Sequence, residues 1–174
     1  MKRVDRKKWH IGRFDIYMDT VENHGQIGPY SFVDIKPSVC VLVKVENKFL
    51  IMKEYRYPIS SWEYEFPCGG IEENESPKEA AYRELLEETG YQAKKMESLG
   101  FFYPSFGSTT EKIYLFVAIC DRSRKEISLD VLENIDCELV EEETIEQWIE
   151  NGTIACGAAI VAWYRYEKIK ANIS

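Results

Sequence analysis

Residues Cys68 to Tyr91 read CGGIEENESPKEAAYRELLEETGY, and the order of residue types in this stretch sets a helix and the turns at both of its ends. The Ser76 hydroxyl can accept from the first free amides of a helix. Pro77 is preset for the first helical position, and Glu79 can reach back to the Ser76 amide. Ser76-Pro77-Lys78-Glu79 therefore predicts a helix start closed by a capping box. Gly90 suits the left-handed position just past a helix end, so the helix is expected over Pro77 to Thr89. At about 100° per residue, Tyr82, Leu85, Leu86 and Thr89 fall on one face and Glu84, Glu87 and Glu88 gather on the other. The first face is expected to pack and the acidic one to face solvent. Like charges at Glu84 and Glu88 cost an isolated helix roughly 0.2–0.5 kcal/mol, which a bound cation removes. Clustered carboxylates are the ligand set of a hard ion such as Mg²⁺. A solvated acidic face balanced by lysines is the alternative.

On either side of this helix the pattern turns to strands. Trp9 to Met18 and Tyr30 to Ile35 alternate, with turn signals at Asn23-His24-Gly25 and Gly28-Pro29, and read as antiparallel strands with one wet face. Val41–Val45 and Phe49–Met52, joined by Glu46-Asn47-Lys48, predict a hairpin of buried strands. Further strand is expected at Ser98 to Tyr103 and Ile113 to Cys120, and further helix at Glu141 to Glu150 and Ala158 to Lys170. Hairpins interrupted by helices favour an α+β arrangement over a doubly wound parallel sheet. A boundary is expected near Pro37, dividing residues 1–37, a strand region, from residues 38–174.

The chain has 174 residues, a formal charge of −8 and a 45% hydrophobic fraction, which suits one folded domain. The acidic balance and the lack of a long Lys/Arg run argue against nucleic acid as partner, since phosphate neutralisation needs a basic face. No stretch approaches the roughly 20 apolar residues of a membrane span, and the basic start Met1 to Lys8 is not followed by an apolar signal core, so a cytoplasmic location is expected. Cys40, Cys68, Cys120, Cys137 and Cys156 are odd in number and form no CxxC pair, and read as reduced core thiols. His10 and His24 lie in the N-terminal strands and read as structural or exposed.

The acidic helix with its flanking glycines resembles the Nudix box. Gly69, Glu75, Arg83-Glu84, Leu85, Glu87-Glu88 and Gly90 stand at its fixed places, and Tyr91 departs from the usual aliphatic in the last one. The resemblance implies a Nudix-type α/β/α sandwich with a mixed sheet, plus an N-terminal antiparallel strand region used as a homodimerisation arm. It implies that Glu84, Glu87 and Glu88 handle divalent metal, Mg²⁺ with Mn²⁺ as the alternative. Glu87 would be a shared ligand or base, and Arg83 would hold the glutamates in place. Gly69 and Gly70 would let the backbone pass close to metal and phosphate, and the carbonyl of Cys68 would be a further ligand.

The flanks narrow the resemblance. Glu54-Tyr55-Arg56-Tyr57-Pro58 and Glu65-Phe66-Pro67-Cys68-Gly69 resemble the QYR-P and ELPAG segments of ADP-ribose pyrophosphatases, which implies that Arg56 grips a diphosphate and that Glu65 belongs to the substrate site. A plain surface arginine is the alternative. Tyr103 to Phe116 is similar to the SPG-x-x-x-E segment, with Phe106 in place of the family's proline. It offers Glu111 as a substrate contact, or as an inert strand-edge acid. Leu132-Glu133 stands in the acidic loop that supplies one more carboxylate, so Glu133 is a candidate base or metal ligand.

The implied activity is a metal-dependent pyrophosphohydrolase cleaving a nucleoside-diphosphate sugar, ADP-ribose to AMP and ribose 5-phosphate first among them. GDP-mannose or another such sugar, and modified nucleoside triphosphates, are alternative substrates. A ligand-sensing module is the non-enzymatic alternative, although such modules usually lose box glutamates that this chain keeps. An isomerase of the same fold would need a catalytic cysteine and histidine ligands, and the two histidines are badly placed for that.

Overall fold

A computed structural model describes residues 1–129 and 134–173 and divides into two compact units. The smaller unit comprises Met1–Pro37 and Tyr103–Lys112. Its three strands, β1 (Lys2–Ile11), β2 (Phe14–Asn23) and β3 (Gln26–Asp34), form an antiparallel sheet in the order β1-β2-β3. The expected single strand from Trp9 to Met18 is broken by a hairpin turn at Gly12-Arg13. Gly12 there has φ +58°, a conformation an L side chain resists. Gly28 and Pro29, expected in a turn, instead lie within β3 and pair with Val21 and Thr20. The 103–112 segment runs along β3, with Val33 N donating to Ser108 O at 2.9 Å and Thr110 N to Val33 O at 3.1 Å. On one face Tyr17 and Phe32 stack at 5.3 Å, and Arg6 lies 4.4 Å over the Tyr17 ring while bonding Asp19 through two nitrogens. No fully buried apolar side chain comes from residues 1–37.

The larger unit, Ser38–Phe102 and Ile113–Ser174, holds a mixed sheet between helices. It runs through β4 (Ser38–Val45), β5 (Lys48–Arg56), β6 (Ser61–Glu65), β7 (Cys68–Gly70), α1 (Pro77–Thr89), β8 (Tyr91–Phe102), β9 (Ile113–Arg124), β10 (Ile135–Val140), α2 (Glu142–Glu150) and α3 (Gly157–Ile169). The strand order is β10-β5-β4-β9-β8. Among the described strands of this sheet only β4 and β9 pair in parallel, Ser38 facing Ile113 and Val45 facing Cys120. Alternation along the strands feeds two cores. Cys40, Leu42, Phe49 and Ile51 pack with Ile145 of α2 and with Ala159, Trp163 and Tyr166 of α3, whereas Val39, Val41, Val43 and Leu50 pack with Ala80, Ala81 and Leu85 of α1. This is the expected α+β sandwich with a separate antiparallel sheet. Among the described residues no helix is long and apolar enough to cross a membrane.

One detail of the sheet positions everything that follows. β4 and β5 pair only near their hairpin, Val43–Val45 against Lys48–Leu50, and then diverge. The gap is filled by β6 on β5 and β7 on β4, with Val41 N donating to Pro67 O at 2.8 Å between them. The chain is thereby steered from β7 into α1.

Candidate active site

Arg83, on α1, is the hub of this region. Its Nε and Nη2 each donate to Glu75 at 2.9 Å, Nη1 donates to Glu84 at 2.7 Å and to Glu87 at 3.1 Å, and Nη2 donates to the Gly70 carbonyl at 2.8 Å. A planar five-donor fork can satisfy this many acceptors where a lysine cannot. The guanidinium holds the Glu75 carboxyl below the usual carboxylate range, and Glu75 first among its partners raises Arg83 further. Glu75 also accepts from the Glu72 amide at 3.0 Å, which closes the loop leading to the helix.

The helix itself starts as expected, with Ser76 and Glu79 forming both bonds of the capping box, and ends at Gly90 with φ +72°. The expected packing face is half right: Leu85 and Thr89 are buried, Leu86 is half-buried and Tyr82 is not buried. Tyr82 is exposed and lines an open hollow of about 520 Å³ with Leu86, Gln92 and Ala93. The buried face consists of Ala80, Ala81, Glu84, Leu85, Glu88 and Thr89. Glu84 and Glu88 thus point inward, and Glu88, at 4% exposure, does not face solvent. Small side chains at Ala80 and Ala81 let the helix approach β4 closely, and the polar backbone of β7 gives the two carboxylates a place to go.

That place follows from the strand register. Because Val41 and Pro67 share a ladder bond, the next antiparallel pair, Cys40 with Cys68, is a non-hydrogen-bonded one. The Cys68 amide therefore points away from β4, and it donates to Glu88 Oε2 at 3.0 Å. The Cys68 carbonyl is left unclaimed by β4 for the same reason. Gly69 lies against the Glu84 carboxylate so closely that a Cβ there would overlap it. Glu84, Glu87, Glu88 and the Cys68 carbonyl could supply oxygen donors only, the chemistry that suits a hard divalent cation. Among the described residues, the acids whose ligand atoms lie within 4.8 Å of one another are Glu142, Glu146 and Glu167, and Lys170 is already ion-paired to Glu142 and Glu167.

The last carbonyls of α1 are all satisfied. Leu86 O accepts from Gly90 N, Glu87 O from Ser128 N at 3.0 Å, Thr89 O from Arg124 Nε at 2.9 Å, and Glu88 O from the Cys137 thiol at 3.9 Å. Sequence reasoning missed this bracket, which joins residues far apart in the chain.

Arg56 lies on β5 with Glu54, and Glu65 on β6 registers opposite Met52, so all three project to the α1 side of the sheet. Arg56 donates to Glu65 through Nε and Nη2, both at 2.7 Å, and its Nη2 lies 3.0 Å from Glu54. The fork expected to grip a diphosphate bidentately is thus engaged with carboxylates. Burial opposes the Arg56 charge, and the Glu65 bonds outweigh that and raise its pKa. Glu54 was missed as a member of this group, although its place in Glu54-Tyr55-Arg56, where the resemblance has Gln, was a usable signal.

Glu111 belongs to the smaller unit. Its carboxyl is pushed up by burial against the opposing pull of Arg13. Glu133 lies outside the described residues. The thiol of Cys68 is pushed well up, by its bond with Cys40 and then by burial, and burial takes Cys120 up to about 12 and Cys156 to about 11. All five cysteines are free, as expected of core thiols.

Residues 34–156 match the NUDIX domain family. The chain is 37% identical to the ADP-ribose pyrophosphatase of Bacillus subtilis (strain 168) over 120 residues, which are 67% of this chain and 65% of that protein. It is 36% identical to the methanol dehydrogenase activator of Bacillus methanolicus over 152 residues, 84% of this chain and 81% of that one. A crystal structure of an ADP compounds hydrolase superposes with a TM-score of 0.87 at 21% identity, covering 99% of this chain and 96% of that one.

Proposed function

Because the chain belongs to the NUDIX domain family, we propose that it is a pyrophosphohydrolase that cleaves the diphosphate of a nucleoside-diphosphate sugar, with ADP-ribose, giving AMP and ribose 5-phosphate, as its preferred substrate. The observation that carries this reading is the Arg83 hub. One guanidinium orients Glu75, Glu84 and Glu87 while the Cys68 amide orients Glu88, so that carboxylates and a free carbonyl gather beside a glycine-lined loop. The relative named an ADP-ribose pyrophosphatase supports the choice of sugar.

Glu84, Glu87, Glu88 and the Cys68 carbonyl are the groups that would hold Mg²⁺, or Mn²⁺ in its place. The bound ion supplies neutralisation of phosphate charge and a lowered pKa for the attacking water. Water oxygen bonds to one phosphorus, the bridging P–O bond breaks, and the water proton passes to a carboxylate. Glu87 is the most open of the three box acids and the best placed to take that proton. Glu133 is a further candidate for this base. Gly70 leaves open space for phosphate beside the loop, and Gly69 admits the Glu84 carboxylate. Arg56, with Nε and Nη2 turned to acids, offers its remaining nitrogen to a phosphate oxygen, and Glu65 orients it.

The enzyme is further proposed to be a homodimer joined through the smaller unit. β1 is exposed along its whole length with Val4, Trp9 and Ile11 open to solvent, the state of an edge strand that needs cover. Free cysteines suit the reducing cytoplasm. The longer match to a methanol dehydrogenase activator favours a second reading, in which the chain activates a dehydrogenase.

A panel of ADP-ribose, GDP-mannose and ATP, assayed with Mg²⁺ and with Mn²⁺, tests the main reading. The highest kcat/KM is expected for ADP-ribose, with AMP as product. A better rate on ATP would overturn the substrate assignment, and no turnover of any compound would overturn the enzyme.

A further inference from the structure

Cys40 and Cys68 face each other across β4 and β7 in the non-hydrogen-bonded pair that follows the Val41–Pro67 ladder bond. Pairs of that kind bring their Cα atoms to about 4.5 Å, inside the roughly 4.4–6.8 Å that a disulfide spans. Both side chains belong to the core on the α2 and α3 side of the sheet, and their thiols are hydrogen-bonded to one another. Cys156, just before α3, packs against the same core, whereas Cys120 and Cys137 belong to the opposite one. The strand register thus assembles a cross-strand dithiol, and the proposed hydrolysis makes no use of either sulfur.

Cys68 is also the residue through which β7 serves the site. Its amide holds Glu88, its carbonyl is one of the proposed metal donors, and the next residue, Gly69, admits the Glu84 carboxylate. A bond between the two sulfurs draws Cys68 toward β4. β7 has three residues and ends in Gly69-Gly70, so it gives way before the longer and largely buried β4. Metal sites hold their ligand distances to about 0.2 Å, and loss of a partner that orients a ligand typically costs about tenfold to a hundredfold in affinity or activity.

We propose that Cys40 and Cys68 are an oxidation site, which hydrogen peroxide converts to a disulfide that reversibly weakens metal binding and hydrolysis. The effect on hydrolysis rests on the proposed hydrolase activity; the disulfide does not. Cys68 is half-buried and Cys40 fully buried, so Cys68 meets the oxidant first. Its sulfur attacks one peroxide oxygen and the O–O bond breaks, giving a sulfenic acid and one water. The Cys40 sulfur then attacks the Cys68 sulfur, the S–O bond breaks, and a second water leaves. Two thiols and one peroxide become one disulfide and two waters, with two electrons passing from sulfur to oxygen. The Cys40 bond and burial keep the Cys68 thiol protonated, which makes this a slow response to sustained oxidant.

The test treats the reduced protein with hydrogen peroxide, blocks the remaining thiols and maps its peptides without reductant. A linked Cys40–Cys68 peptide is expected, and dithiothreitol should release it. Mn²⁺ affinity, read by electron paramagnetic resonance, and kcat/KM for ADP-ribose at low Mg²⁺ should each fall on the order of tenfold and return with dithiothreitol. Cys156→Ala should leave the linkage and the loss in place. Cys40→Ala should abolish both, and Cys40→Val serves the same purpose should alanine leave too large a void. Absence of the linked peptide overturns the proposal, as does linkage of Cys68 to Cys156 in its place. A linked protein with unchanged Mn²⁺ affinity overturns it too, and so does a reversible loss that persists in the Cys40 variants. If the reduced protein turns over no ADP-ribose, the hydrolase reading fails, while the linked peptide and the Mn²⁺ affinity still decide this one.

Discussion

Glu88 shows what a single residue does here and how far its chemistry was legible. Its identity and spacing from Arg83 and Gly69 were on the face of the sequence, but its burial was not. Its residue type put Glu88 with the solvent-facing acids, although i and i+3 share a helix face and set it beside Leu85; the packing uses the small Ala80 and Ala81 and turns the carboxylate inward. The amide that receives it, Cys68 N, is presented by a strand register between β4 and β7 that no local pattern encodes. Glu88→Gln should therefore fold, because the amide oxygen still accepts from Cys68, while turnover falls on the order of a hundredfold or more through loss of a charged ligand. A near-wild-type rate at saturating Mg²⁺, with an unchanged thermal midpoint, would remove Glu88 from the site. Arg56 teaches the same lesson in reverse. Its residue type pointed to a phosphate, and only the fold brings Glu65 and Glu54 onto its fork.

Elements with strong end signals were read well. Ser76, Pro77, Glu79 and Gly90 marked α1 correctly at both ends, because capping depends on residues adjacent in sequence. Ser76→Ala should cost about 1 kcal/mol of stability, measurable by denaturant titration. A loss near zero would mean that the box acids, and not the cap, hold the helix start. Short strands were missed: β7 has three residues, too few to show a period, and β6 alternates Trp62 and Tyr64 with Glu63 and Glu65 over only five. The β1–β2 hairpin was missed because Gly12-Arg13 continued the alternation through the turn. That hairpin carries the Arg6–Asp19 pair, whose two bonds of 2.6 and 2.7 Å hold the Asp19 carboxyl below its ordinary value. A depressed carboxylate adds stability above its unfolded pKa, about 3.9, that is lost as pH falls through the lower folded value. Asp19→Asn should make the unfolding midpoint less sensitive to pH across that acid window. Equal pH slopes for the two proteins would rule out the pair as a source of acid sensitivity.

At the scale of the molecule, the mixed sheet and the separate antiparallel sheet were expected, while the allotment of residues 103–112 to the smaller unit was not, since that segment carries no boundary signal. The unburied apolar side chains of β1 lead to a prediction about assembly: the mass in solution should be that of two chains, and Trp9→Glu should shift it toward one. A single-chain mass at all concentrations would exclude the dimer. The parallel pairing of β4 with β9 has a consequence for how the protein is made. Ser38 waits for Ile113, and Arg56, Glu65, Cys68, Arg83 and Glu88 all lie in the stretch between. On the ribosome, these five proposed site residues are therefore synthesised before the strand that completes the middle of their sheet has left the exit tunnel. A nascent chain stalled before residue 113 would carry every box residue without the scaffold that aligns them. Premature termination there should yield a polypeptide for proteolysis rather than a weak enzyme.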